Sequence, residues 1–368
     1  MAIIAHFIDV GQGNMALLVL GDGTTLLYDC NVTDENEERV IRYLRAVLPR
    51  PWIDIFVNSH READHMRGLK RIHAAFPILT VWDSGVVGGD PYSPEYREYM
   101  EVKRGRDVAV KHYTYYDFGT TRVRIMNAKN DLLSDDPNAQ SIVMKVENRR
   151  PVTGQVLNSL MLAGDSDAAA WERWIVPVYG NDIESTILLG SHHGGNGYFL
   201  KQKNGGLYLD HIQKIRPRVT VVSVGSNNYG HPTPLALALY TSHSAGPDYT
   251  WRTEPLKIVR TDRQGTIKLS LRDDGWWVMN WAGPTLACAL PGRRAAPSIS
   301  VKPSLSLVDL ARFLRTTPTP PRSLADILRR PPPPAATPPA PLTLKPSEPT
   351  LAEIFASLYK SRHGPPFK

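Results

Sequence analysis

Short apolar runs alternate with polar turns along most of the chain, and a few longer segments show apolar residues at helical spacing. The pattern predicts three strands within residues 2–30, a helix over 34–48, a strand ending at residue 58, a helix over 66–76 and a strand over 79–82. Strands over 108–126, 141–146 and 156–162 are predicted to form a second sheet, and strands and helices then alternate to about residue 281. This order is typical of an α/β protein with two sheets.

The composition changes sharply after residue 290. The segment 291–368 holds 17 of the 31 prolines and has 12 lysines and arginines against 4 acidic residues, so its net charge of +8 leaves the rest of the +7 chain at −1. A segment of this composition cannot bury enough apolar surface to form a packed core. We therefore predict a globular hydrolase domain over residues 1–288 and a disordered, Pro-rich, basic tail over 289–368.

One pattern occurs three times in this tail. Ser306, Ser323 and Thr350 each precede an apolar stretch and are followed three residues later by Asp or Glu, as in a capping box. Helices this short are unstable alone in water, so they are predicted to form on a partner protein, whereas the alternative is a low-complexity tail with incidental leucines. The predicted partner-binding residues are Leu307, Leu310, Leu324, Ile327, Leu328, Leu351, Ile354 and Phe355.

Compartment is predicted from what the chain lacks. The two cysteines, Cys30 and Cys288, are too few for a disulfide framework. No apolar run approaches the roughly 18 residues needed to span a bilayer, and the N-terminus lacks the basic start of a signal peptide. We therefore predict a cytoplasmic protein with no membrane span.

The first candidate metal ligands come directly after the strand that ends near residue 58. His60, Glu62, Asp64 and His65 lie within six residues, in a loop that leads into a helix. Such a turn directs several side chains to one point and can bind divalent ions, although a single cluster of this kind also occurs as a solvated turn.

Three further strand-to-loop transitions deliver histidine or aspartate. Asp165 follows an apolar strand, His192 and His193 follow another, and His231 lies in a polar loop after a third. The carboxyl ends of strands are where open α/β folds place their ligands. Each residue alone is compatible with a structural role, His231 especially, but four such transitions together favour a metal site.

Six segments, in this order, resemble motifs of a known family: residues 7–14, 60–65, 163–165, 192–194, 230–232 and 260–265. They are similar to the metallo-β-lactamase-fold domain of the DNA-uptake competence protein ComEC and its soluble relatives, over roughly residues 3 to 280. The resemblance implies an αβ/βα sandwich, a two-metal hydrolase site and activity on phosphodiesters, most often nucleic acid.

The resemblance also implies roles for individual residues. His60 and Glu62 would hold one ion and Asp64, His65 and His193 the other, with Asp165 bridging both so that a water between them becomes the nucleophile. Asp64, Asp165, His192 and His231 are the implied catalytic residues, the two histidines lying at the pocket mouth. Asp9 is predicted to orient a ligand histidine through a hydrogen bond.

Position 62 departs from the family, whose metal loop has histidine there. A carboxylate is a harder ligand and adds charge, so Glu62 favours Mn²⁺ or Mg²⁺ over Zn²⁺, or else marks a weakened site. The predicted cofactors are two divalent ions, Mn²⁺ or Zn²⁺, with Mn²⁺ favoured. We predict a metal-dependent phosphodiesterase or nuclease with a partner-binding tail. The alternative is a catalytically weak adaptor that binds nucleotide or nucleic acid.

Overall fold

The computed structural model describes residues 3–201, 206–247 and 256–281. The predicted domain boundary at residue 288 and the predicted partner-binding residues of the tail, from Leu307 to Phe355, lie outside these residues. The described residues form two sheets with helices on both outer faces, which is the predicted sandwich.

The first sheet has eight strands among the described residues, in the order β16-β15-β1-β2-β3-β5-β6-β7. Its parallel half runs from β3 to β7 and its antiparallel half from β16 to β3. The strands are β1 (Ile3–Phe7), β2 (Ala16–Val19), β3 (Thr25–Tyr28), β5 (Ile53–Val57), β6 (Ile78–Asp83), β7 (Asp107–Ala109), β15 (Ile267–Leu271) and β16 (Trp277–Trp281), and the short β4 (Cys30–Asn31) lies apart from it.

The second sheet has seven described strands in the order β14-β13-β12-β11-β10-β9-β8. Strands β11 to β14 are parallel, and β8 to β11 are antiparallel. The strands are β8 (Tyr115–Phe118), β9 (Thr121–Asn127), β10 (Val143–Arg149), β11 (Val156–Leu162), β12 (Ile187–Leu189), β13 (Val219–Val222) and β14 (Ile258–Arg260).

Alternation along the strands explains the layered core. On β2, Leu18 points between the sheets while Leu17 points toward the helices, as successive residues of a strand must. The helices are α1 (Glu37–Val47), α2 (Ala63–Met66), α3 (Leu69–Ala75), α4 (Pro94–Lys103), α5 (Ala168–Ala170), α6 (Val176–Tyr179), α7 (Asp210–Ile215), α8 (Pro234–His243) and α9 (Thr261–Gln264), with a π-helical turn at Trp171–Ile175. Among the described residues, no helix is both long and apolar enough to cross a membrane.

The helix predicted over 66–76 is two helices, α2 and α3, and the first begins earlier than predicted. The break is at Gly68, whose φ of +71° is left-handed and where a Cβ would come within 2.3 Å of the Val32 carbonyl oxygen. This close approach to the segment after β4 requires glycine and interrupts the helix. Periodicity alone gives no sign of it.

One other prediction is corrected. The strand at Val108 belongs to the edge of the first sheet and pairs with β6, and only β8 and β9 of the region 108–126 lie in the second sheet. Between β6 and β7 lies α4, which begins at Pro94 with Ser93 as its N-cap. Serine followed by proline is a strong helix-start signal.

Candidate metal centre

The loop between β5 and α2, residues 58–62, is called the metal loop below. It presents candidate metal ligands on one side. His60 and Glu62 face each other, with 3.7 Å between Nε2 and Oε2. His65, one turn into the following helix, is fully buried, and its Nε2 lies 3.8 Å from Oδ1 of Asp64. His60 Nε2 is also buried and has no hydrogen-bond partner among the described residues. A buried nitrogen without a partner is rare and calls for a ligand or an ordered water.

Two strands of the other sheet supply the remaining donors. Asp165 follows β11, and its Oδ1 lies 3.3 Å from Nε2 of His65. His193 follows β12, and its Nε2 lies 3.2 Å from Asp64 Oδ2, 3.6 Å from Asp165 Oδ2 and 3.3 Å from His65 Nε2. The carboxyl ends of parallel strands from the two sheets therefore converge on one point.

Hydrogen bonds on the outer side fix each imidazole. Nδ1 of His65 lies 2.9 Å from the Asp29 carboxylate, and Nδ1 of His193 lies 2.8 Å from the Ser223 carbonyl oxygen. Because both partners are acceptors, each Nδ1 donates, and each Nε2 directs its lone pair to the centre. Two lone pairs 3.3 Å apart repel unless a proton or a metal ion lies between or beside them. The donor set therefore fits a divalent ion.

Asp29, rather than Asp9, is the carboxylate that orients a histidine. Asp9 accepts a hydrogen bond from the Gly11 amide, and its Oδ2 lies 3.8 Å from Arg39. Strand order gives the reason, because β3, which precedes Asp29, is next to β5, whereas β1, which precedes Asp9, is two strands farther away. Asp29 shows the same strand-then-carboxylate pattern as Asp165 and could have been identified by it.

Within the described part of the chain, two groups of donors have all their ligand atoms within 4.8 Å of one another: His60, His65 and Asp165, and Asp64, His65 and His193. Both groups use His65, which has a single free nitrogen. One ion at Asp64, His65 and His193 thus leaves a second to His60, with the Glu62 and Asp165 carboxylates. This division matches the predicted ligand sets, and the ligand roles remain a prediction.

The electrostatics of the centre favour positive charge. Burial opposes charge on His65, but the carboxylates of Asp165, Asp29 and Asp64 outweigh it and raise its pKa well above the usual range. Burial would likewise raise the pKa of Asp165, yet the neighbouring histidines hold it well below its usual value. Metal ligation and protonation thus compete for the same site.

His192 and His231 lie beside the centre. His192 Nε2 is 3.8 Å from Asp165 Oδ2 with the side chain 30% exposed, and its ring centroid is 5.1 Å from that of His231. His192 and His193 have φ of +52° and +51°. Two consecutive non-glycine residues in the left-handed region are strained, and such strain concentrates at functional sites. The turn directs His193 inward and His192 toward solvent.

Sequence reasoning also missed a buried pair beneath the loop. Arg61, between two predicted ligands, makes a bidentate contact with Asp83 at the end of β6. An arginine within a metal loop gives no signal of its partner, because Asp83 is 22 residues away and is identified only through the β5–β6 pairing.

The sequence matches two curated relatives. It is 26% identical over 268 residues to competence protein ComA of Neisseria gonorrhoeae, covering 73% of this chain and 32% of that protein. It is 24% identical over 285 residues to ComE operon protein 3 of Bacillus subtilis, covering 71% and 32%. The chain therefore spans about a third of the length of the curated relatives it matches. No family model matches it.

The chain is therefore similar in sequence to competence proteins, and its described residues form the two-sheet α/β sandwich that this resemblance implies. Solved structures with similarity to this chain include the metallo-β-lactamase fold protein YhfI of Bacillus subtilis, with a TM-score of 0.43 and 10% identity, covering 73% of this chain and all of that one. CmlA of Streptomyces venezuelae, a diiron β-hydroxylase, has a TM-score of 0.42 and 13% identity, covering 74% and 54%. The donor cluster, at the strand ends of this sandwich, fits a divalent metal centre.

Proposed function

We propose that this chain is a metal-dependent phosphodiesterase whose substrate class is nucleic acid. The observation that carries the proposal is the approach of the His65 and His193 Nε2 atoms to 3.3 Å, beside two carboxylates. The similarity to competence proteins supports nucleic acid as the substrate class. The proposed metal ligands are His60, Glu62, Asp64, His65, Asp165 and His193.

A bound divalent ion supplies two effects to such a reaction, since it lowers the pKa of water and neutralises charge on phosphoryl oxygens. The protein's own groups do the rest. Asp165, buried between the two histidine sets, holds positive charge at the reacting point. Asp29 and Ser223 hold the imidazoles in the tautomer that leaves Nε2 free.

The two remaining histidines can bind the substrate phosphate. Burial and the nearby His192 and His193 lower the pKa of His231, so its ring is neutral near pH 7 and carries one N–H. That N–H can donate to a phosphoryl oxygen, and His192, partly exposed beside Asp165, can contact a neighbouring oxygen.

The test is cleavage of bis(p-nitrophenyl) phosphate by the full chain with added Mn²⁺ or Zn²⁺, together with metal content. We expect Asp165→Ala to reduce turnover by at least about 100-fold and to reduce bound metal, because Asp165 is the buried carboxylate that contacts both His65 and His193. Asp117→Ala, which removes a carboxylate paired with Arg122 on the edge strand β8, is the matched control and should match the parent. Wild-type turnover in Asp165→Ala would overturn the proposal.

A second candidate is a weak adaptor that binds nucleotide or nucleic acid without efficient cleavage. Glu62 favours it, because the second donor group then contains one imidazole and otherwise carboxylates. An adaptor would bind an oligonucleotide in the same preparation that fails to cleave the chromogenic diester with any divalent metal.

We also propose that the tail recruits a partner protein through its repeated apolar motif. The support is the repetition of cap, acid and leucine at three places between residues 306 and 355. These residues lie outside the part of the chain that the structure describes.

A further inference from the structure

The Arg61 side chain lies on the opposite side of the metal loop from the proposed ligands. It is only 5% exposed. Its Nε and Nη2 donate to the two oxygens of Asp83 at 3.0 and 2.7 Å, and its Nη1 donates to the Tyr96 hydroxyl at 2.8 Å. A planar guanidinium that donates three hydrogen bonds to fixed acceptors has one orientation.

The Asp83 carboxylate is itself fixed from several sides. Its Oδ1 accepts from the Gly85 amide at 2.6 Å, the Tyr99 hydroxyl donates to Oδ2, and the Lys103 ammonium lies 3.6 Å away. Tyr99 and Lys103, with Tyr96, are spaced three and four residues apart along α4 and share one face of it. The anchor of Arg61 is therefore a rigid junction of β6 and α4.

The peptide around Arg61 is also held from outside. A Cβ at Gly89 would lie 2.3 Å from the Arg61 carbonyl oxygen, so the segment after β6 packs directly on the loop backbone. His60 and Glu62 flank Arg61 and point the other way, with 3.7 Å between their ligand atoms. His60 and Glu62 are joined to Arg61 by peptide bonds, so a shift of the Arg61 backbone changes the separation of their side chains.

Energetics separate this role from stabilisation alone. Replacing both partners of a buried ion pair by apolar residues of similar volume is often neutral, whereas removing one partner leaves an unpaired buried charge and destabilises the fold. Partners that orient metal ligands have a different signature, since their removal typically lowers metal affinity by about 10- to 100-fold. The position of the pair between two ligands favours the second effect.

We propose that Arg61 is a positioning residue that, through Asp83, fixes the separation of His60 and Glu62 and so sets the affinity and geometry of the metal centre. This inference rests on the proposed metal site. It assigns no contact between Arg61 and substrate.

The experiment titrates the metal-free full chain with Co²⁺ and follows affinity by calorimetry and ligand geometry by the visible absorption bands. Arg61→Met and Asp83→Asn should each weaken Co²⁺ binding by about 10- to 100-fold and change the visible bands. Arg61→Lys keeps the charge without the bidentate geometry and should fall between Arg61→Met and the parent. Arg124→Met is the matched control, because it removes an arginine from the Glu147 ion pair on β9 and β10.

The outcomes are distinct. Absence of Co²⁺ uptake by the parent overturns the proposed metal site and this inference with it. Uptake by the parent with unchanged affinity and bands in Arg61→Met overturns only the positioning role, as does an equal loss in Arg124→Met. If Arg61→Met does not fold, Gly89→Ala tests the same peptide from its other side with the ion pair intact, and unchanged Co²⁺ affinity in that variant overturns the proposal.

Discussion

A histidine whose Nδ1 is bonded elsewhere offers a metal one lone pair, and this constraint governs the centre. His65 donates from Nδ1 to Asp29, so it can bind a single ion although it belongs to both donor groups. A second ion then depends on His60, Glu62 and Asp165. The side chain of Glu62 is 36% exposed, whereas that of His60 is buried. Under the proposed function, the number of ions and the metal preference would therefore depend mainly on residue 62.

Substitution of Glu62 tests this dependence. Glu62→Gln should lower Mn²⁺-supported turnover by at least about tenfold, the effect that loss of even an outer partner of a metal site has. Glu62→His should shift the preference toward Zn²⁺, because imidazole is a softer ligand. Metal content and rate are measured with each ion. Glu101→Gln, on an exposed pair with Lys70, is the control, and parent-like behaviour of both Glu62 variants would mark Glu62 as a bystander.

At the scale of helices and strands, the periodicity of apolar residues predicted the features that local sequence determines. It missed the features that depend on contacts with elements distant in sequence. The strand ends that carry Asp165 and His193 follow directly from apolar runs. Asp29 and Asp9 each follow an apolar strand, so their local sequence patterns are the same. Only the order of strands in the sheet decides which carboxylate reaches His65. The break at Gly68 likewise depends on a contact with Val32, which no local pattern contains.

Helix α7 carries a buried histidine that makes stability depend on pH. His211 is fully buried, both ring nitrogens lack a hydrogen-bond partner among the described residues, and its ring stacks on Tyr208 at 5.1 Å. Burial, followed by the charge of His243, lowers its pKa from 6.5 to about 3. The unfolded chain therefore binds a proton that the folded chain excludes between these values.

Stability should consequently fall as pH drops below about 6.5, by up to about 1.4 kcal/mol per pH unit from this residue. His211→Phe keeps an aromatic ring and removes the titration, so its urea unfolding free energy should depend less on pH between 6.5 and 5. His6→Phe removes the other histidine with a pKa lowered to about 4 and serves as comparison. An unchanged slope in His211→Phe would contradict the assignment.

At the scale of the whole molecule, the chain separates its charge. The tail from residue 291 carries +8 and the remainder −1, so under the proposed function polyanion attraction and catalysis would belong to different parts of the sequence. A partner that binds the apolar motif should be insensitive to salt, whereas a polyanion held by arginines should dissociate steeply as salt rises.

This difference gives a test of the proposed tail function in the full chain. Replacement of Leu324, Ile327 and Leu328 by Ala should weaken salt-resistant capture of a partner protein by at least about tenfold and leave diester turnover unchanged. The matched variant replaces Arg322, Arg329 and Arg330 by Gln and should weaken only salt-sensitive binding to an oligonucleotide. Equal capture by all three proteins would contradict a role for the motif.

The separation of His65 and His193 along the chain has a consequence for folding. These residues are 128 positions apart and meet only when both sheets have formed and packed. An unfolded chain cannot present both, so under the proposed function the ion binds the native state alone. By mass action, free metal at 100 times its dissociation constant would then add about 2.7 kcal/mol to the unfolding free energy. The ion would then bind late in folding, after the two sheets have packed, and would stabilise that packing.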